Sequence, residues 1–205
     1  MSLVLLVLLL RHASSEGVTH LFRRRGEAIL LTSDALRTRR TDSYDFRWKR
    51  SDQLILRQGN VTKACVPPCE LRVDGSLSLS GLQSAHSGNY SLDVYSERDG
   101  RLLQHKHFVL TVLQPVSRPE LSASCSLGGR VQLQCHVQDG ERVRIHWIHT
   151  ATTGSANHSL PLRPAHSHWA GLLLGRKVNG SICVASNEVS EEKSAPVHLE
   201  CRVGG

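Results

Sequence analysis

Val131-Gln132-Leu133-Gln134-Cys135 alternates apolar and polar residues and ends on a cysteine; Trp147 stands twelve residues later on another such stretch, and Cys183 opens a third. A two-residue period turns one face of each strand toward a core and the other toward water, whereas a helix would repeat its apolar positions every 3.6 residues. Two cysteines and a tryptophan in this arrangement predict two packed sheets joined by a disulfide, with the indole against it. Cys125 and Cys201 stand near the first and last strands of the same segment. Four cysteines allow three pairings, and nesting Cys125–Cys201 around Cys135–Cys183 is the one that fits facing sheets. Each bond would close a long loop, and losing one would cost about 2–5 kcal/mol.

Cysteine, tryptophan and cysteine in this order form the core of an immunoglobulin-like sandwich. The first half of the chain carries the same plan without the bond. Glu27 to Leu31, Phe46 to Lys49, Ser76 to Ser80, Tyr90 to Tyr95 and His107 to Val112 read as short strands punctuated by turn residues. Asp99-Gly100 predicts a type I′ hairpin before the last of them. Trp48 takes the strand C position. Ser87-Gly88-Asn89-Tyr90 takes the corner before strand F, where a tyrosine hydroxyl ties the chain back on itself. Leu92 stands two residues after Tyr90, where the second cysteine would be, and Leu31 is its expected partner on strand B. A pair of leucines fills the volume of a cystine and still excludes water. The predicted class is all-β: two tandem immunoglobulin-like β-sandwiches, variable-type without the inter-sheet disulfide, then constant-2-type with two disulfides. Pro115 and Pro119 interrupt the alternation, which places the sandwiches at residues 16–114 and 120–205 and a stiff connector at 115–119.

The remaining features point to the secretory pathway, and so to the cell surface or the extracellular medium. Leu3 to Leu10 is an unbroken apolar run, too short for the roughly 20 residues of a membrane-crossing helix. Ala13, Ser14 and Ser15 follow it, so residues 1–15 read as a signal peptide. In that compartment all six cysteines are disulfide candidates, and the sequons at Asn60, Asn89, Asn157 and Asn179 are glycosylation candidates. No later stretch is apolar enough to cross a membrane; the expectation is either a soluble molecule or an anchor encoded outside the present sequence. The formal charge of +7 raises nucleic acid as a partner, but apart from Arg23-Arg24-Arg25 and Arg37 to Arg40 the basic residues are dispersed. Such charge in an exported protein is solvated or complements an acidic protein, and no nucleic-acid partner is expected.

No nucleophile elbow, phosphate-binding glycine loop or HExxH motif is present, so no enzyme is expected. The twelve histidines include His105 and His107 on one strand face, His146 and His149 near Trp147, and His166 and His168 in a loop. None comes with a nearby acidic or cysteine ligand set, and neither a metal nor a cofactor is expected.

A disulfide-free variable-type sandwich followed by a doubly bridged one resembles the receptor family that comprises the T-lymphocyte erythrocyte receptor (lymphocyte-function antigen two) and the signalling lymphocytic activation molecules. The likeness is carried by Phe46-Arg47-Trp48-Lys49, the Tyr90 to Tyr95 strand with Asp99-Gly100, and Val116-Ser117-Arg118-Pro119 before Cys125. His168-Trp169, and Cys183 leading to Ser186-Asn187-Glu188-Val189-Ser190, extend it. Each motif alone is weak; the absent first bridge is the distinctive part. Cys65-Val66-Pro67-Pro68-Cys69 departs from the pattern. It reads as a local Cys65–Cys69 disulfide in the C′–D loop, with pairing between chains as the alternative. One such pair supplies neither four zinc ligands nor a redox context. The membrane anchor and cytoplasmic tail of that family are also absent from this sequence.

Alternation predicts which side chains reach the outer face of strands G, F, C and C′. With Phe46, Trp48, Tyr90, Leu92, Val94, Phe108, Leu110 and Val112 inward, Arg47, Lys49, Ser91, Asp93, Tyr95, His107, Val109 and Thr111 point outward, and Arg57 joins from strand C′. The candidate partner-binding set is Arg47, Lys49, Arg57, Asp93, Tyr95 and His107. A tyrosine amid charges has the composition of an interface anchor more than of a solvated sheet. The resemblance implies that this face, with Tyr95 matching a strand-F tyrosine of the family, meets a related immunoglobulin-superfamily counter-receptor on an opposing cell. It also implies heterophilic adhesion and lymphocyte co-stimulation. A soluble decoy of the same fold and a homophilic module are the alternatives.

Overall fold

The computed structural model describes residues 17–32, 44–57, 60–61, 69–149 and 167–202. The expected signal peptide, Cys65, Thr62 of the Asn60 sequon, Asn157 and His166 lie outside them.

The first half forms β1 (Thr19–Arg24), β2 (Ile29–Leu31), β3 (Tyr44–Arg50), β4 (Gln53–Arg57) and β5 (Asn60–Val61), then β6 (Cys69–Leu71), β7 (Leu77–Leu79), β8 (Gly88–Ser96) and β9 (Leu102–Leu113). One sheet runs β1-β9-β8-β3-β4-β5 and the facing one β2-β7-β6. β1 lies parallel to β9, while β8 and β3 pair antiparallel at the sheet's centre. Period-two patterning explains the core. Trp48, Leu56, Leu77, Leu82 and Leu92 are fully buried, and Leu31 shares their cluster with Tyr90 and Phe108. Leucines thus occupy the inter-sheet space that a cystine fills in the second sandwich. Trp48 stacks on Phe108 with ring centroids 5.8 Å apart, and its Nε1–H donates to the Gly75 carbonyl at 2.9 Å. The buried Tyr90 hydroxyl donates to the His86 carbonyl at 2.7 Å, closing the expected corner across a single 3-10 turn, Ser84–His86.

The hairpin expectation needs correction. Residues 97–101 join β8 to β9, the Gly100 N–H returns to the Ser96 carbonyl at 2.8 Å, and Gly100 has φ of +69° while Asp99 does not enter the positive region. A type I′ turn requires positive φ at both central residues, so Asp99-Gly100 closes a longer loop instead. The two-residue primed turn sits at Ser51-Asp52 between β3 and β4, with φ of +46° and +66°. Neither residue is glycine, so composition offered no cue.

The second half forms β10 (Glu120–Cys125), β11 (Val131–His136), β12 (Arg144–Ile148), β13 (Trp169–Leu173), β14 (Lys177–Ser186), β15 (Glu191–Lys193) and β16 (Val197–Glu200). β10-β11-β13 make one sheet; β12, β14 and β15 make the other, with β16 also on β14. Both expected bonds are present, Cys135–Cys183 joining β11 to β14 and Cys125–Cys201 nested around it. Trp147 is fully buried in the same cluster as Cys135 and Cys183. Cys69 is disulfide-bonded; its expected partner, Cys65, lies outside the described residues.

The proline-flanked stretch is packed rather than free. Val116 is buried with Val137, Val143 and Ala185, and its N–H donates to Ser190 Oγ at 2.8 Å. Asn187 Nδ2 donates to the Gln114 carbonyl at 2.8 Å and to the Glu141 carbonyl at 2.9 Å. From the first sandwich, Arg24 Nε donates to the Val189 carbonyl at 2.9 Å. These bonds hold the six-stranded sheet against the end of the second sandwich.

Candidate functional site

Sheet register assembles the face in rows, because residues paired across strands share a side. Arg57, Arg47, Asp93 and His105 align across β4, β3, β8 and β9. Lys49, Ser91 and His107 form the next row, and Asp45 opposes Tyr95 in the one beyond. The six residues expected on this face are therefore brought together on it, and Asp45 and His105 are additions.

Two buried carboxylates order the cations. Asp45 accepts from Arg57 Nη2 at 2.9 Å and Arg57 Nε at 3.1 Å, and Arg47 Nη2 lies 2.7 Å from it. Asp93 accepts from Lys49 Nζ at 2.7 Å and from His105 Nδ1. Burial alone would raise both carboxyl groups. The hydrogen bonds and charges of Arg57 and Arg47 in one case, and of Lys49 and His105 in the other, outweigh it and hold both below the usual carboxylate range. The bond to Asp45 raises Arg47, and the bond to Asp93 raises Lys49. Asp93, expected both to order the strand-C bases and to face a partner, is 3% exposed beneath Lys49 and His105, a placement that suits the ordering role. The histidine reading also needs correction, since the fold brings a carboxylate from β8 against His105 that proximity in sequence did not show.

Tyr95 is half-buried because the Arg47 guanidinium lies over its ring, 4.2 Å from the centroid. The guanidinium thereby packs the ring at the surface; such a contact contributes about 0.5–1 kcal/mol at exposed sites. A depression of about 420 Å³ opens between Arg47, Arg57, Tyr95 and Glu97. A second, of about 310 Å³, opens between Ser51, Asn89, Ser91, His107 and Val109. Asn89 is exposed at its edge, where a glycan would border the face. Among the described residues no group of three or more His, Cys, Asp or Glu side chains is placed to hold a metal.

No family model matches the chain. HEPACAM family member 2 of Mus musculus is 28% identical over 149 residues, covering 66% of this chain and 32% of that protein. T-cell surface antigen CD2 of Equus caballus is 26% identical over 165 residues, covering 78% of this chain and 44% of that protein. The chain is a distant homologue of these immunoglobulin-superfamily adhesion receptors. It spans less than half the length of either. These relatives are cell-surface immunoglobulin-superfamily proteins. Among solved structures, murine CEACAM1b matches with a TM-score of 0.65 at 18% identity, covering 88% of this chain and 94% of that one. The ectodomain of mouse nectin-like molecule 4 matches at 0.55 and 14% identity, covering 89% of this chain and 66% of that one. Likeness at such identity shows the immunoglobulin-like fold.

Proposed function

We propose that the chain is the adhesive part of an exported cell-surface receptor. The outer face of β9, β8, β3 and β4 binds an immunoglobulin-superfamily counter-receptor on an opposing cell, and the contact supports lymphocyte co-stimulation. Residues 16–114 form the binding domain, 115–119 the connector and 120–205 a spacer. The observation that carries this reading is the Tyr95–Arg47–Asp45–Arg57 cluster. A buried carboxylate clamps two guanidinium groups, and one of them stacks on the tyrosine. Side-chain freedom is thus lost before any partner arrives, which lowers the entropic cost of association. Arg57, Arg47 and Lys49 stand beside Asp45, Asp93 and Glu97, so the face presents charges of both signs to a complementary partner, and such charge sets encounter rate and specificity more than holding strength. The relatedness to T-cell surface antigen CD2 supports the lymphocyte setting.

The test is binding of a multimeric form of the chain to lymphocytes and to an array of immunoglobulin-superfamily ectodomains. Tyr95→Ala should cost about 2 kcal/mol or more, roughly a thirtyfold loss, with the fold retained. Trp169→Ala removes the exposed aromatic of the second sandwich and should bind as the parent does. The reverse pattern would move the binding site to the second sandwich.

A further inference from the structure

We propose that His105 and His107 form a two-imidazole chelate for a divalent transition-metal ion of the copper and zinc class, on β9 at the margin of this face. Side chains two apart on a strand point the same way. Here the two ring centroids are 4.3 Å apart and the two Nε2 atoms 2.6 Å apart. The tautomer of His105 follows from its neighbour. Asp93 pairs through its second oxygen with the Lys49 ammonium at 2.7 Å and so meets His105 as an acceptor, which places the His105 proton on Nδ1 and turns the Nε2 lone pair toward His107. A carboxylate holding one imidazole nitrogen while the other faces outward is the arrangement that orients metal-bound histidine and raises its basicity. Lys49 occupies the other Asp93 oxygen, which keeps the carboxylate in that supporting role and offsets the lysine charge beside an incoming cation.

With His105 Nε2 accepting, His107 Nε2–H is the donor of this contact. His107 is exposed, so exchange through solvent can move its proton from Nε2 to Nδ1, freeing a second lone pair on the neutral ring. Two metal–nitrogen bonds of about 2.0–2.1 Å at a tetrahedral angle need the nitrogens about 3.3 Å apart. The rings must therefore open by roughly 0.7 Å, a small side-chain rotation. Two coordination positions then remain for water or, if the face binds as proposed above, for a donor from the partner. The chelate itself does not depend on that reading.

The test is calorimetric titration of the demetallated chain with copper(II) and zinc(II) chloride, together with electron paramagnetic resonance of the copper form. One equivalent should bind per chain, with copper tighter than zinc. His107→Gln should weaken this event at least tenfold and reduce the nitrogen couplings on copper from two to one. Asp93→Asn should weaken it about 10–100-fold. Equal affinity and equal couplings in parent and His107→Gln, as binding by other histidines would give, overturn the proposal. So does the absence of binding by the parent. Tyr95-dependent cell binding that persists in a chelator would leave the proposed adhesion intact, so the two readings fail separately.

Discussion

Replacing Leu92 by alanine asks whether leucines fill the place of the missing inter-sheet bond. The side chain is 0% exposed, and its cross-strand neighbour Trp48 is equally buried. Truncation removes three carbons, worth about 2.4 kcal/mol at roughly 0.8 kcal/mol per buried carbon. The hole then adds to the loss, because its walls cannot collapse: Trp48 is anchored to the Gly75 carbonyl, and Leu56, Val94 and Leu110 belong to the same buried cluster. A total near the upper half of the range of about 2–5 kcal/mol for core truncations follows. The assay is denaturant unfolding, read as a midpoint shift at unchanged slope. Leu30→Ala is the control: Leu30 lies on β2 beside Leu31 but is 44% exposed, so its loss should stay within about 0.5 kcal/mol. A Leu92→Ala loss under about 1 kcal/mol, or equal losses for the two variants, would refute the strand F assignment and the outward face built on it.

Acid should act through the two buried carboxylates. Both titrate below their ordinary value of 3.8, so the stability they contribute is complete above that pH and is lost as pH falls through their lowered folded values. Unfolding midpoints followed below pH 3.8 should therefore fall less steeply in Asp45→Asn and Asp93→Asn than in the parent; parallel slopes would contradict the ion-pair assignment. Gly75→Ala should destabilise the first sandwich by more than about 1 kcal/mol. Gly75 has φ of +80°, and an added Cβ would lie 2.7 Å from Phe46 Cζ and closer to two other ring carbons. A neutral thermal melt would show that Phe46 yields at no cost.

The frame was readable because its signals are local. Trp147 between Cys135 and Cys183, and Tyr90 two residues before Leu92, place strands by alternation and spacing alone. Pairing across strands was not readable. Asp45 shares the outward period with Arg47, two residues away, yet only the fold shows that Arg57 reaches the same carboxylate. Asp93 obeys the alternation and still loses its exposure, because burial depends on the long side chains of Lys49 and His105 as well as on direction. The primed turn at Ser51-Asp52 is imposed by the register that joins Arg50 to Gln53, not by turn-forming residues.

A glycan placed on the face tests the central claim most directly. Lys49→Asn turns residues 49–51 into a sequon in the middle of the face, and Glu120→Asn does the same for residues 120–122 on β10 of the second sandwich. Lys49→Gln controls for the broken ion pair with Asp93. Each variant is expressed in mammalian cells, glycan occupancy is checked by a mobility shift, and binding to counter-receptor-bearing cells is measured. The glycosylated Lys49→Asn variant should lose binding; Lys49→Gln should still bind but associate more slowly, and glycosylated Glu120→Asn should bind as the parent does. Full binding by glycosylated Lys49→Asn, with loss in Glu120→Asn, would contradict the account.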